Sequence, residues 1–198
     1  MGTFVPPIEP TDEELVRRSG AGDRKAFEML AARHEGPLYR FALRTCGGER
    51  DAEDALQEGL LAAWRGAATF RGESSARTWL FQVVVNACHR RHRRRAGEGS
   101  APEPIEAADG VPADETGPEE RAGAREVGRA IDRALADLPD EAREVLLLRD
   151  VEGLSGDEAA AALGVGLAAM KSRLHRARLE LKQRVETILG HPVREVLP

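Results

Sequence analysis

Apolar residues recur along this chain at intervals of three and four rather than two, the spacing that lays a single stripe along a helix. Leu15 and Val16 open the pattern behind Thr11 and Glu14, whose spacing fits a capping box that satisfies the orphan amides of a first turn. Gly20 and Gly22 close that helix, and Asp23 caps a second one carrying Phe27, Leu30 and Ala31. Gly36-Pro37 predicts a break there, with a new helix through Leu38, Phe41 and Ala42 that ends at Gly47-Gly48. From Arg50 to about Arg65 the stripe is Ala52, Ala55, Leu56, Leu60, Ala63 and Trp64. Asp51, Glu53, Asp54, Gln57 and Glu58 take much of the remaining surface, so this is an amphipathic helix with an acidic start. After the loop Phe70-Arg71-Gly72-Glu73-Ser74-Ser75, the positions Trp79, Leu80, Val83, Val84 and Ala87 predict a long helix in spite of its β-branched run, and it ends in arginines.

The period vanishes between Gly97 and Glu120, where Pro102, Pro104, Pro112 and Pro118 fall among residues with too little apolar surface to offset their ordering entropy. This stretch is expected to be a linker. Beyond it Val127, Ile131, Ala134, Leu135 and Leu138 mark one helix, and Leu138-Pro139-Asp140 restarts the chain into Ala142, Val145, Leu146 and Leu148, with Gly153 as the stop. The segment from Leu154 to Val185 has a helix-turn-helix pattern: Ser155 as cap, a short helix from Glu158 to Leu163, a turn at Gly164 and a second, basic helix. Glycine suits that turn because the chain reverses through a left-handed conformation. Leu167, Met170, Leu174 and Leu181 keep one face of the second helix apolar for docking, which leaves Lys171, Ser172, His175 and Arg178 opposite, beside Arg173 and Arg176. Such side chains reach phosphates and base edges in a major groove; the plainer alternative is a solvated helix face.

The expected fold is therefore all-α: two small helical domains, one of four helices and one built on the helix-turn-helix, joined by an acidic linker. The expected boundaries are a tail over 1–11, a domain over 12–96, the linker over 97–122, a domain over 123–189 and a tail over 190–198. No internal repeat is present.

Composition refines this picture. Aromatic residues make up only 4% of the chain, whereas the good helix formers Ala, Leu, Glu and Arg are abundant. A net charge of -5 argues against a uniformly basic coat for nucleic acid, but the charge is uneven. His89 to Arg95 is cationic, as is the segment holding Lys171, Arg173, Arg176, Arg178, Lys182 and Arg184, while Gly97 to Glu120 holds acids and no base. Cys46 and Cys88 stand apart with no C-x-x-C, so reduced thiols in the cytoplasm are the simpler expectation. Two sets of metal-ligand types, Asp51 with Glu53 and Asp54 and Cys88 with His89 and His92, lack a recognised ligand spacing. No metal, no cofactor, no catalytic residue and no enzymatic activity are expected, and Cys46, Cys88 and His34 are assigned to packing or to the surface. No run approaches the roughly 18 apolar residues of a membrane span, and Met1 to Pro10 has neither a basic start nor an apolar core, so the expectation is a soluble, unexported protein without a membrane partner.

Specific motifs go further. Leu138-Pro139, the run Arg143-Glu144-Val145-Leu146-Leu147-Leu148-Arg149-Asp150-Val151-Glu152-Gly153-Leu154-Ser155, and Lys171-Ser172-Arg173-Leu174-His175-Arg176-Ala177-Arg178 together resemble the C-terminal promoter-binding domain of extracytoplasmic-function (ECF, group 4) sigma factors of bacterial RNA polymerase. Asp51-Ala52-Glu53-Asp54-Ala55-Leu56-Gln57-Glu58, Ala63-Trp64, Phe70-Arg71-Gly72 and Thr78-Trp79-Leu80 through Asn86 resemble the four-helix N-terminal domain of the same family. The resemblance covers about 12–95 and about 126–185, and two ordered blocks are more specific than a lone helix-turn-helix, which many unrelated regulators contain.

The resemblance implies a sigma factor that binds core polymerase and directs initiation. Asp51, Asp54, Gln57, Glu58 and Leu61 would meet the clamp helices of the largest subunit, an acidic amphipathic face suiting a basic partner. The C-terminal domain would meet the flap of the second-largest subunit. Melting the -10 element would fall to Arg71, Ser74, Ser75, Arg77, Thr78, Trp79 and Asn86, with Arg90, Arg91, Arg93 and Arg94 on phosphates. Trp79 also continues the apolar stripe with Val83, which favours a core position. The -35 element would be read by Lys171, Ser172, Arg173, His175, Arg176 and Arg178. The acidic linker would run through polymerase channels, and many relatives have an anti-sigma partner. Three departures from the family pattern bear on specificity and packing: Arg90 where an aspartate is common, Ala168-Ala169-Met170 for the usual Gly-Thr-Val, and Ala159 for a larger aliphatic residue. The competing reading is a helix-turn-helix regulator that binds DNA without polymerase.

Overall fold

The computed structural model describes residues 9–98 and 118–192, with side chains for 9–95 and 125–192. The expected terminal tails, apart from 9–11 and 190–192, and most of the expected linker lie outside the described residues. Within them are eight α-helices and no strand. The N-terminal unit comprises α1 (Asp12–Gly20), α2 (Arg24–Thr45), α3 (Glu49–Gly66), a 3-10 turn (Ala67–Thr69) and α4 (Ala76–Glu98). The C-terminal unit comprises α5 (Pro118–Ala136), α6 (Asp140–Leu146), a π-turn (Leu147–Val151), α7 (Gly156–Leu163) and α8 (Leu167–Leu189).

Of the capping box expected at Thr11, the side-chain half forms, the Thr11 hydroxyl accepting from the Glu14 amide at 3.2 Å. The neighbouring Asp12 ties α1 to α2 through Arg33 at 2.5 Å and His34 at 2.6 Å. Against burial, which pushes it up, the hydrogen bonds from Arg33 and His34 hold the Asp12 carboxyl below its usual range. Leu15, Leu30, Leu38, Phe41, Leu80 and Phe81 are fully buried, with Phe41 and Phe81 edge to face at 5.7 Å.

Two expectations are corrected here. Gly36-Pro37 does not break the chain: α2 runs unbroken for 22 residues with Pro37 inside it. Leu30, His34, Leu38 and Phe41 keep their three-and-four spacing across the proline, so burial of that face outweighs one missing backbone hydrogen bond. The two cysteines are not free thiols: Cys46, just past the end of α2, and Cys88, within α4, form a buried disulfide with their Cα atoms 5.3 Å apart. Helix α5 also begins at Pro118, inside the stretch expected to be linker.

Leu138-Pro139 restarts the chain into α6 as expected, and Arg143 secures that corner. It is 7% exposed. Its guanidinium donates to the carbonyls of Leu135 at 2.9 Å, Ala136 at 3.1 Å and Leu138 at 2.8 Å, thus capping the end of α5. A fourth bond, 3.2 Å long, reaches the Arg44 carbonyl near the end of α2. The two units are therefore in direct contact, with α7 packed on α4 and α6 on α2.

Candidate polymerase and nucleic-acid interfaces

Helices α2 and α3 frame a groove of about 1110 Å³. Phe27, Tyr39, Leu56, Leu60, Leu61 and Trp64 line it, and Glu35, Glu53, Asp54 and Gln57 edge it. Phe27 and Trp64 meet edge to face at 5.3 Å, which braces the floor, while Leu61 stays half exposed. Asp54, Gln57 and Leu61, three of the five residues assigned to polymerase, thus lie together. Phe27, Tyr39 and Trp64 were not assigned to this surface from sequence; helical spacing places Phe27 and Trp64 on apolar stripes without showing that the stripes face each other, and Tyr39 lies off the stripe of Leu38, Phe41 and Ala42.

Asp51 and Glu58 turn the other way, toward α4. Arg91 bonds Asp51 at 3.0 Å, Asp54 at 2.5 Å and Glu58 at 3.1 Å, Arg95 pairs with Asp51, and Arg90 and Arg94 reach Glu58 at 3.8 and 3.4 Å. The acids of α3 and the arginines of α4, assigned from sequence to different partners, form one ion-pair network in which Arg91 is largely enclosed. Arg93, Arg94 and Asn86 remain exposed.

The loop before α4 places Ser75 as the start of that helix, its hydroxyl accepting from the Thr78 amide at 3.1 Å and meeting the Thr78 hydroxyl at 2.8 Å. Ser74 is half buried and Arg71 fully exposed, with Gly72 supplying a left-handed turn at φ 71° between them. Trp79 is half buried against Phe70, their rings 5.0 Å apart, which fits its reading as packing. Arg77 lies over the Phe81 ring at 5.4 Å and donates to the Glu152 carbonyl at 2.7 Å.

In the C-terminal unit, Ser155 and Glu158 form the complete reciprocal capping box of α7, and the bond from the Ser155 amide holds the Glu158 carboxyl below its usual range. Gly164 turns the chain at φ 64° into α8. Met170, Leu174, Ala177 and Leu181 are buried, while Lys171, Ser172, His175 and Arg176 face solvent. Two assigned cations are engaged: Arg178 pairs with Asp150 at 2.6 Å and Arg173 with Glu141 at 3.0 Å. Ala168 and Ala169 are exposed at the start of α8, and Ala159 is completely buried.

The residue types weighed as metal ligands do not converge. Cys88 is in the disulfide, His89 meets Glu144, His92 meets Asp140, and Asp51 and Asp54 hold Arg91. Among the described residues no group of three or more His, Cys, Asp or Glu side chains is placed to hold a metal ion. Nor is any described helix long and apolar enough to cross a membrane.

A helix-turn-helix with an outward cationic face, carried beside a helical unit with an acid-edged apolar groove, defines a two-domain DNA-binding transcription factor. The sequence comparisons sharpen this. Sigma-70 region 2 matches residues 30–98 and Sigma-70 region 4 matches residues 128–181. The ECF RNA polymerase sigma factor SigM of Mycobacterium tuberculosis is 41% identical over 173 residues, covering 87% of this chain and 84% of its own. The chain belongs to the ECF RNA polymerase sigma factors. Among solved structures, CnrH in complex with the cytosolic domain of CnrY superposes with a TM-score of 0.66 at 27% identity, covering 89% of this chain and 97% of that one. The sigma factor RpoE in complex with the anti-sigma factor NepR from Bartonella quintana superposes at 0.65 and 26% identity, covering 84% and 98%.

Proposed function

We propose that this sigma factor docks core polymerase through the α2–α3 groove, melts the -10 element at the loop before α4 and reads the -35 element with α8. The groove carries the reading: an apolar floor edged by carboxylates fits a basic amphipathic helix pair such as the polymerase clamp, and a polymerase-independent regulator has no use for it. The flap of the second-largest subunit would meet the C-terminal unit.

In this reading Lys171, Ser172, His175 and Arg176 enter the major groove first, since they already face solvent. Arg173 and Arg178 support them from the flank. At the other element, extruding a base costs a few kcal/mol, offset by hydrogen bonds from Ser74, Ser75 and Thr78 and by packing beside Trp79. Arg71, Arg77, Arg90, Arg93, Arg94 and the neighbouring Asn86 hold the strand, and Arg91 acts mainly by keeping that surface in place. An anti-sigma protein would hold this chain as CnrY holds CnrH and NepR holds RpoE.

The test is to add the purified chain to sigma-free bacterial core polymerase and a promoter library. The expected result is a complex that starts transcription from a subset of templates, lost with Asp54→Arg combined with Gln57→Ala. Tight duplex binding with no association to core would replace this reading with the polymerase-independent regulator.

A further inference from the structure

The C-terminal unit contains one irregularity that the docking surfaces leave unused, the π-turn Leu147–Val151 between α6 and the loop into α7. The Glu152 amide reaches back to the Leu147 carbonyl at 2.8 Å, and the Leu154 amide reaches the Leu148 carbonyl at 2.9 Å. With one residue more than an α-turn, the chain keeps Leu147 and Leu148 buried while Arg149 and Asp150 come out side by side, half buried. Arg149 turns back to the Leu154 carbonyl and closes the loop. Asp150 reaches α8.

There both of its oxygens are held by one guanidinium. Arg178 donates through Nε at 3.0 Å and Nη2 at 2.6 Å, a planar fork on a carboxylate that is only 14% exposed. The other flank of α8 has no equal. Arg173, about 140° away around the helix at 3.6 residues per turn, meets Glu141 at 3.0 Å, but that carboxylate is 72% exposed and such a pair contributes little. Nor does packing replace the fork at this level. Between Leu174 and Leu181 the buried position of α8 is Ala177, and the residues that α7 buries are Ala159, Ala160 and Ala162. Methyl groups make shallow ridges, which oppose rotation of a helix about its own axis less than long interdigitated side chains do.

We propose that Asp150 is a positioning residue for reading the -35 element: by holding Arg178 it fixes the rotation of α8 about its axis, and so the direction in which Lys171, Ser172, His175 and Arg176 present their polar atoms. This rests on the assignment of α8 to the -35 element and takes Arg178 out of the direct contacts to DNA. On a helix with a side-chain radius of about 6 Å, a rotation of about 10° moves a side-chain tip by about 1 Å. That carries a bond of about 2.9 Å past the reach of a hydrogen bond. Long side chains on phosphates absorb such a shift and base-edge contacts do not, so loosening the fork costs sequence discrimination before it costs affinity.

The experiment uses the full chain on core polymerase. Competition binding is measured for a promoter selected from the library and for copies carrying single base-pair changes in its -35 element, at several salt concentrations. Asp150→Asn keeps the shape and removes the charge that holds the fork, Asp150→Glu keeps the charge, and Arg178→Gln breaks the same fork from the other side, so the test does not hang on one variant folding. Circular dichroism confirms which variants are folded. The expected result is that Asp150→Asn and Arg178→Gln each lower the preference for the selected -35 element roughly tenfold, and that the two together do no more than either alone. Asp150→Glu recovers most of the preference, and Arg178→Gln leaves the slope of log affinity against log salt at its wild-type value. A slope smaller by about one in Arg178→Gln, with binding weakened evenly across templates, would make Arg178 a phosphate contact and overturn the proposal. So would full discrimination by a folded Asp150→Asn. A wild-type complex indifferent to every change in the -35 element would instead overturn the reading of α8 itself, and the positioning role with it.

Discussion

Arg143 offers the most direct test of how the C-terminal unit is held. Its guanidinium donates to three carbonyls at the end of α5 and one near the end of α2, all while 7% exposed. Replacement by Met keeps the volume and removes every donor. Charge-assisted hydrogen bonds contribute about 1.5–3 kcal/mol each, but such bonds are not additive, and the Leu135 carbonyl keeps a second donor in the Leu138 amide. A net loss of about 3–4 kcal/mol follows, a large part of the roughly 5–15 kcal/mol that stabilises a domain. For a unit of this size that lowers Tm by roughly 12–32 °C. Arg143→Lys keeps the charge but presents a single ammonium in place of a planar fork, so it should recover about half. Differential scanning calorimetry of the three proteins at matched pH checks this. A Met variant that melts within about 2 °C of wild type would show that the carbonyls are equally well satisfied without Arg143, and the corner argument would fall.

Three further outcomes are expected. The bond to Glu144 raises the His89 pKa above its ordinary value of about 6.5 against the opposing effect of burial, so its stabilising contribution is complete below that value and is lost as pH rises through the raised one. Asp140, lowered from 3.8 chiefly by its bond to His92, contributes above 3.8 and loses this as pH falls through its lowered value. Contact between the two units should therefore be tightest between those limits and loosen as pH rises through the raised His89 value, a trend that interunit distance measurements should find weakened in His89→Ala. Gly20→Ala should cost about 1–3 kcal/mol in urea denaturation, because a Cβ there would sit 2.8 Å from the Ala67 carbonyl oxygen and 2.9 Å from the Ala68 Cα, backbone that cannot easily give way. Reducing the Cys46–Cys88 disulfide, which closes a sequence separation of 42 residues, should lower stability by about 2–4 kcal/mol, read as a shift in urea midpoint with and without reductant.

Local chemistry was legible in the sequence and long-range pairing was not. The caps at Thr11 and Ser155 and the turn at Gly164 are set by residues within a few positions of one another and form where the sequence puts them, although the reciprocal capping box expected with Glu14 at Thr11 is seen complete with Glu158 at Ser155. Pro37 misled because a breaker acts locally, whereas the buried face that carries α2 through it is a property of the assembled unit. Cys46 and Cys88 lie 42 positions apart, and only the packing of α2 on α4 brings them together. Of the candidate site, the outward face of α8 followed from helical periodicity, whereas Asp54, Gln57 and Leu61, which lie on the groove, were reached through the family resemblance. The inward turn of Asp51 and Glu58 did not. Their spacing matches that of Arg91, Arg94 and Arg95 on a neighbouring helix, but that signal is interpretable only once α3 and α4 are known to be antiparallel neighbours in contact.

That shared network has a consequence for genetics. Because Arg91 is held at once by Asp51, Asp54 and Glu58, an alanine at any one acid alters the bonding of a helix assigned to DNA as well as a surface assigned to polymerase. Single-substitution phenotypes across α3 and α4 will not sort into recruitment defects and promoter defects. Paired substitutions across the two helices, scored for departure from additivity, are the way to separate them, and suppressors of a lost α3 acid should arise among the α4 arginines.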